Sequence, residues 1–423
     1  MREMFDVNPA EALAEAMRLI YGLGLTTTSG GNLSIMDENG VLWITPSSID
    51  KGSLTAADIV ARYPDGHMEG AHKPSIEMQF HARVYEMRPD IRAIVHAHPP
   101  ALSAWALRRE VPNAALLPDV GALCGLVGMA RFEIPGSAAL CDAVGAAFAG
   151  GERAVLLANH GAMTGAGTLG EAFLAFEALE QLAETALLSR RLGGGNAIGA
   201  DAGRGAGCGD LEMHAGTGAV HVADKEEMAA RAQLCAFAAR GCLRRLFTGA
   251  LGGMSVRFRD GVLATPAGGN RRDLRPEEIV WVDSCGAGEP GKQADGLLWQ
   301  HRVVYAAHPE LGAVITAHPA HLGAYAVSGQ AYDNRYLSEG YVIVRRMEQA
   351  GACDAAGQVS PERPLVIAQG QGVIVAGERL VQAFDRLEVA ECGAAAMILA
   401  GDGVLIEESG LAEMQEAYGL GVY

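Results

Sequence analysis

The sequence predicts an α/β protein made of two tandem copies of one domain, and three observations carry that expectation. Apolar runs of strand length alternate with helical patterns that begin at capping residues and stop at glycines. Thr265-Pro266-Ala267-Gly268 answers Thr45-Pro46-Ser47-Ser48 at an offset of 220 positions, and the same offset holds for about sixty residues, as expected of a duplication. Residues 193–221 are crowded with Gly and Ala and read as a flexible linker. The chain therefore divides into a first domain, 1–192, the linker, 193–221, and a second domain, 222–423. A length of 423 residues suits two domains, and 49% hydrophobic against 20% charged residues can bury large cores.

The elements follow in order. Asn8 caps a helix that Pro9 opens, Ala10 to Ile20 is amphipathic, and Gly22 and Gly24 stop it. Thr26 to Asn32 is a polar glycine-rich turn whose N–H groups and hydroxyls suit an anion. Val41–Ile44 is a strand that ends in the hydroxyl-rich loop Thr45-Pro46-Ser47-Ser48. Leu54 to Val60 reads as a short capped helix. Pro74 opens the next helix, with Ser75, Ile76 and Glu77 in its first turn and with His81 and Tyr85 following Glu77 on one face. A strand spans Ala93–His98 and a helix Ala101–Leu107, whereas Val111–Ile134 shows no clear period. A helix Ala138–Phe148, a strand Ala154–Ala158 and a long helix from Leu169 to about Leu192 complete the first domain.

Chemistry concentrates at Ile94-Val95-His96-Ala97-His98-Pro99-Pro100. Strand residues two apart share a face, so His96 and His98 present their imidazoles side by side. His160, at the end of the apolar run Ala154–Ala158, supplies a third imidazole, and Glu77 a carboxylate beside it. Three neutral imidazoles with an open position describe a catalytic divalent-metal site rather than a structural one. His81 reads as structural.

Five motifs in order, Ser29-Gly30-Gly31-Asn32-Leu33-Ser34, Thr45-Pro46-Ser47-Ser48, Lys73-Pro74-Ser75-Ile76-Glu77, His96-Ala97-His98-Pro99 and Asn159-His160-Gly161, resemble the class II aldolase/adducin family over about residues 8–192. The resemblance implies a three-layer αβα sandwich around a mostly antiparallel sheet. It implies Zn²⁺, or Mn²⁺ or another divalent ion, on His96, His98 and His160, and Glu77 as catalytic acid/base. It assigns Gly31, Asn32, Ser47, Ser48 and Ser75 to substrate binding. The implied activity is a carbon–carbon lyase, aldolase or decarboxylase, acting on a small hydroxylated carbonyl or carboxylate through a metal-stabilised enediolate. A sugar-phosphate 4-epimerase and a non-catalytic adducin-like interaction protein are the alternatives. The family's aldolases carry two serines before the glutamate. Here Ile76 replaces the second, removing a phosphate donor and adding an apolar wall, which extends the expectation to smaller, carboxylated or aromatic substrates.

In the second half, His301 and Tyr305 answer His81 and Tyr85, but Leu297 answers Glu77, Thr316 answers His96, Gln371 answers His160 and Gly253 answers Asn32. Only His98 keeps an imidazole, in His318, so the second copy reads as a degenerate domain without the metal site. The resemblance also implies a homo-oligomer, here expected as a dimer forming a pseudo-tetramer of domains, in which the second domain would complete the pocket of the first with Arg335, Tyr336, Tyr341 or Arg345.

A net charge of −17 argues against nucleic acid or an anionic membrane as partner and leaves a small molecule. The cysteines at 124, 141, 208, 235, 242, 285, 353 and 392 form no CxxC pair and read as reduced, mostly buried thiols. The first residues lack the order of a signal peptide, and a soluble, cytoplasmic protein is expected.

Overall fold

The computed structural model describes residues 4–194 and 221–420. Among them two compact units separate at Glu184–Thr185, with the short segment Ala115–Asp119 grouped with the second.

The first unit opens with α1, Pro9–Gly22, capped as expected by the Asn8 side chain, which accepts from Glu11 N. Strands β1, Asn32–Met36, β2, Leu42–Ile44, β3, Val60–Arg62, and β4, Met68–Glu69, form a meander. Helix α2, Met78–Met87, then leads to β5, Ala93–Ala97, and α3, Pro100–Arg108. Next come α4, Pro118–Cys124, β6, Val127–Ala130, and α5, Ala138–Ala149. Strands β7, Ala154–Leu157, and β8, Gly161–Ala166, precede the long helix α6, Leu169–Arg191. The sheet order is β4-β3-β2-β1-β5-β8-β7-β6, antiparallel at every pairing except β6 with β7. One face of this sheet packs Phe80, Val84, Val144 and Phe148 of α2 and α5 against Ile44, Ile94, Val155 and Met163. Such a cluster, buried against a sheet, is what fixes strand register, because a one-residue slip would turn every apolar side chain to the other face.

The second unit repeats the plan. Helix α7, Lys225–Leu243, is capped by Asp224, and β9, Gly253–Phe258, β10, Gly261–Ala264, and β11, Val280–Val282, form the meander. Then follow α8, Leu298–Ala307, β12, Ala313–Ala317, α9, Ala320–Ser328, and a π-helical turn, Gly340–Val344. Strand β13, Met347–Gly351, helix α10, Ala355–Gln358, and strands β14, Leu365–Gln369, and β15, Gly372–Gly377, come next. Helices α11, Leu380–Ala400, and α12, Glu408–Tyr418, end it. Its sheet, β11-β10-β9-β12-β15-β14-β13, has the same order without a described counterpart of the edge strand β4, and separate apolar clusters cover its two faces. Each copy is thus a helix–sheet–helix sandwich.

Three local expectations need correcting. Pro74 does not open a helix: it forms an isolated bridge with Pro46, and Glu77 is the N-cap residue of α2 rather than part of its first turn. Leu54–Val60 contains only a 3₁₀ turn, Ala56–Asp58, before β3 begins. The unassigned stretch 111–134 holds α4 and β6, and the sequence pattern conceals β8 because Gly161-Ala162-Met163-Thr164-Gly165-Ala166 has almost no β-branched residues. Most of the linker, residues 195–220, lies outside the described residues. Cys124 and Cys242 are buried free thiols, but Cys285 and Cys392 are exposed and Cys353 is disulfide-bonded, against the expectation of reduced, mostly buried cysteines. Among the described residues, no helix is long and apolar enough to cross a membrane.

Candidate functional site

Strand β5 delivers His96 from a fully apolar, fully buried run, and His98 stands one residue past its end, where Pro99 and Pro100 turn the chain into α3. His160 follows Asn159, whose left-handed backbone (φ 57°) folds β7 back into β8. Asparagine tolerates that conformation better than other side chains. The three rings converge, with centroids 4.9 Å apart for His96–His98 and 5.0 Å for both pairs with His160. One nitrogen from each lies within 4.8 Å of the others.

The surroundings set the proton positions. His96 Nδ1 lies 3.0 Å from the carbonyl of Ala162 on β8, which orients the ring so that its Nε2 stands 3.2 Å from His98 Nε2. Burial pushes His98 down to about 3 and His160 down to about 4, so both are neutral donors at pH 7. His160 Nδ1 is buried without a hydrogen-bond partner. These are the features of a ligand set, since metal binding requires the neutral imidazole.

Glu77 closes the cluster. Its two carboxylate oxygens lie 3.3 Å from His96 Nε2 and 3.3 Å from His160 Nε2. Burial alone would raise its pKa, but His96, His160 and a hydrogen bond from Asn32 outweigh that and hold the carboxyl well below the usual range. Asn32 Nδ2 donates to Glu77 Oε2 at 2.7 Å, and Asn32 Oδ1 meets His81 Nε2 at 2.5 Å. Ser34 Oγ in turn lies 2.6 Å from both His81 Nδ1 and Tyr85 OH. A buried chain Tyr85–Ser34–His81–Asn32 therefore aims the carboxylate. His81 is not in the imidazole cluster, yet it orients the residue that orients Glu77. The signal was present in the sequence: Asn32 and Ser34 alternate on one strand face, and His81 and Tyr85 repeat at helical spacing.

The residues expected to bind substrate lie on three neighbouring segments. Gly31 has φ 72°, and a Cβ there would stand 2.6 Å from the His96 carbonyl, so only glycine fits between the turn and β5. Ser47 N donates to Lys73 O, and Pro46 bridges Pro74, which ties the Ser47–Ser48 loop to the segment carrying Ser75. Ser75 Oγ accepts from Glu77 N at 3.2 Å. Ile76 is 65% exposed, so the residue that departs from the family pattern faces outward. Sequence reasoning overlooked Lys51. It is buried, its backbone N donates to Thr28 O and its Nζ to Pro46 O at 2.7 Å, so it links the glycine-rich turn to the Thr-Pro loop from beneath. Burial pushes Lys51 down to about 8.

The second copy shows the same frame with different contents. Leu297 caps α8 where Glu77 caps α2, and Gly253 faces Thr316 across β9 and β12 where Asn32 faces His96. Gln371 follows β14 and hydrogen-bonds Gln300 at 2.7 Å. His301 keeps its bond to Ser255, 2.8 Å, but its Nε2 is buried with no partner, because the asparagine side chain that would meet it is gone. In the cradle, Arg271 takes the place of Lys51 and Asp295 that of Ser75. The Arg271 guanidinium donates to Gly252 O, Gly268 O and Asp295 Oδ2 at 2.7, 2.7 and 2.8 Å.

Two α/β copies, the first bearing three convergent imidazoles and a held carboxylate, define a duplicated sandwich whose candidate metal centre lies in the first copy; His221, Glu227 and Glu289 of the second copy also gather, but Arg231 pairs with both of those carboxylates and Lys292 with Glu289. The family model for the class II aldolase and adducin N-terminal domain matches residues 11–187 and again 232–398, so the chain belongs to that family twice over and is an enzyme of its class. It is similar to the 5-deoxy-D-ribulose 1-phosphate aldolase of Bacillus thuringiensis serovar kurstaki, 37% identical over 43% of this chain and 85% of that protein. It is also similar to the 3-oxo-tetronate 4-phosphate decarboxylase of Haemophilus influenzae, 33% identical over 44% of this chain and 88% of the relative. Among solved structures, an L-fuculose 1-phosphate aldolase is 36% identical over 44% of this chain and 89% of its own, with a TM-score of 0.41.

Proposed function

We propose that the first copy is a divalent-metal-dependent carbon–carbon lyase that acts on a small hydroxylated carbonyl compound carrying a phosphate or carboxylate. The observation that carries this reading is the convergence of His96, His98 and His160 around the Glu77 carboxylate. The three histidines would hold the ion, Zn²⁺ foremost because imidazole nitrogens suit it, with Mn²⁺ as the other candidate because the Glu77 oxygens stand beside the cluster. When bound, such an ion supplies Lewis-acid polarisation of substrate oxygens.

The chain's own groups do the rest. Glu77, ionised at pH 7, takes a proton from the substrate and returns it, and Asn32, fixed by His81, keeps one carboxylate oxygen aimed during the transfer. Gly31, Ser47, Ser48 and Ser75 hold the substrate's anionic end, and Lys51 supplies its counter-charge. The second copy supports that assignment: where the first has Lys51 and Ser75, it has Arg271 bonded to its own Asp295, a carboxylate built into the place an anion would take.

The test is a product analysis with sugar 1-phosphates and phosphorylated 3-oxo acids, the compound classes of the relatives. A lyase shortens the carbon chain, a decarboxylase releases CO₂, and an epimerase preserves the chain. Glu77→Gln should lower kcat by about 10²- to 10⁴-fold, the usual contribution of a general base. Full activity in that variant, or only chain-preserving products, would end the lyase reading.

A further inference from the structure

The second copy has lost the histidine cluster, but it holds a cationic cavity whose arginines have no charged counterparts in the first copy. The cavity, about 420 Å³, is lined by Arg240, Arg345, Arg379 and Arg386, with Asp385 the one acidic residue among its described lining. The duplication provides an internal control. By the registers of the two sheets and their flanking helices, these arginines stand where the first copy has Leu19, Gly125, Thr168 and Ala175, none of them charged. Four guanidinium groups have therefore been placed around one cavity in a chain whose net charge is −17.

Their placement is built rather than incidental. Arg386 is buried, and it donates through Nη1 to Ala376 O at 2.6 Å and through Nε to Ile343 O at 3.3 Å, which fixes its guanidinium. Arg240 lies over the Phe384 ring, 4.7 Å from its centroid, and bonds Glu388 at 2.7 Å. Arg345 is the unusual one. It follows the π-helical turn and adopts φ 64° with ψ −145°, a backbone conformation that belongs almost wholly to glycine. The first copy does put glycine there, Gly125 with φ 64°. The second copy holds an arginine in a glycine conformation, a strained arrangement that persists only where the surroundings enforce it.

The helix end beneath the cavity has changed in the same direction. In the first copy Thr168 and Glu171 cap α6 reciprocally, each side chain bonding the other's N–H at 3.2 Å. In the second, Arg379 and Gln382 occupy those positions; Arg379 makes no side-chain cap, and Gln382 bonds Glu378 N instead. One carboxylate has gone, and Arg379, Val381 and Gln382 at the start of α11 line the cavity. Guanidinium forks beside helix N–H groups match the oxygens of a phosphate. Val342, Ile343 and Val381, which also line the cavity, offer an apolar side to a carbon skeleton. The volume lies within the range of small-molecule sites.

We propose that this cavity is a binding site for a small phosphate monoester, separate from the metal centre and acquired by the second copy after duplication. The full chain is titrated calorimetrically with glycerol 3-phosphate and, separately, with inorganic phosphate, at two salt concentrations. The variant combines Arg345→Gly with Arg379→Thr, restoring the first copy's residues. Because glycine relieves the strain at 345, the variant should fold at least as well as wild type, which its melting temperature checks. The proposal expects one class of site to weaken at least about 30-fold in the variant while any second class persists, and glycerol 3-phosphate to bind more tightly than inorganic phosphate. His160→Ala should leave this binding unchanged, which separates it from the fate of the lyase reading. Equal binding by wild type and variant overturns the proposal. So does a variant that binds both probes normally but sediments as a smaller species, because the arginines would then serve an interface with a second copy. Equal affinity for the two probes would reduce the site to one for free phosphate and overturn the monoester assignment.

Discussion

The two copies allow one substitution to be made twice with different expected outcomes. His81→Leu removes two buried hydrogen bonds, to Ser34 and to Asn32, and strands Asn32 Oδ1 in the interior. At about 1 kcal/mol for each bond and about 1–3 kcal/mol for the orphaned acceptor, the first copy should lose about 3–5 kcal/mol. His301→Leu in the second copy removes one bond, to Ser255, whose hydroxyl keeps Tyr305, and also removes a buried nitrogen that has no partner. The loss of about 1 kcal/mol is offset by a penalty of about 1–3 kcal/mol that no longer applies, so stability should stay within about 1 kcal/mol of wild type or rise. Peptide-resolved hydrogen exchange separates the copies, since β1 and α2 report on one and β9 and α8 on the other. Equal destabilisation by the two substitutions would refute the reasoning that the buried chain to Asn32 is what distinguishes them.

Acid provides a second test at His301, which burial pushes down to about 3. Below pH 6.5 the unfolded chain takes up this proton and the folded one does not, so stability falls as pH drops towards 3; His301→Leu should spare the second copy about 1.5 kcal/mol between pH 6.5 and 5. Lys51, pushed down to about 8, works at the other end. Between pH 8 and 10.5 the unfolded chain holds the extra proton, so the first copy gains stability as pH rises through that window, and Lys51→Met should abolish the gain, about 3 kcal/mol at most. Urea midpoints against pH check both. Ser75→Asp copies the second domain's Asp295 into the first, and the new carboxylate should pair with Lys51. KM for an anionic substrate should rise about 10- to 100-fold, the worth of one charged hydrogen bond, with bound metal unchanged. Unaltered KM would show that the cradle does not receive the substrate's anion.

Much of this was legible because the chemistry rides on short-range pattern. His96 and His98 share a face through strand alternation alone, and Asn8, Ser137 and Asp224 cap helices as their side chains dictate. The constant offset between matching motifs reveals the second copy from the amino-acid order alone. What escaped depends on contacts across the sheet. The Asn32–Glu77 bond joins residues 45 apart, and Lys51 shows its importance only through burial. Pro74 suggested a helix start because proline favours that position. The bridge to Pro46, a tertiary contact, overrode that preference. The arginine cavity could not be read at all, since Arg240, Arg345 and the pair Arg379 and Arg386 of α11 belong to three separate stretches of chain.

The central claim is one metal centre, in the first copy. Elemental analysis of the purified chain after loading with zinc or manganese tests it most directly, on wild type and His160→Ala in parallel. The account predicts about one divalent ion per chain in the wild type and close to none in the variant. No bound metal under any loading condition, or two per chain with one surviving His160→Ala, would contradict it.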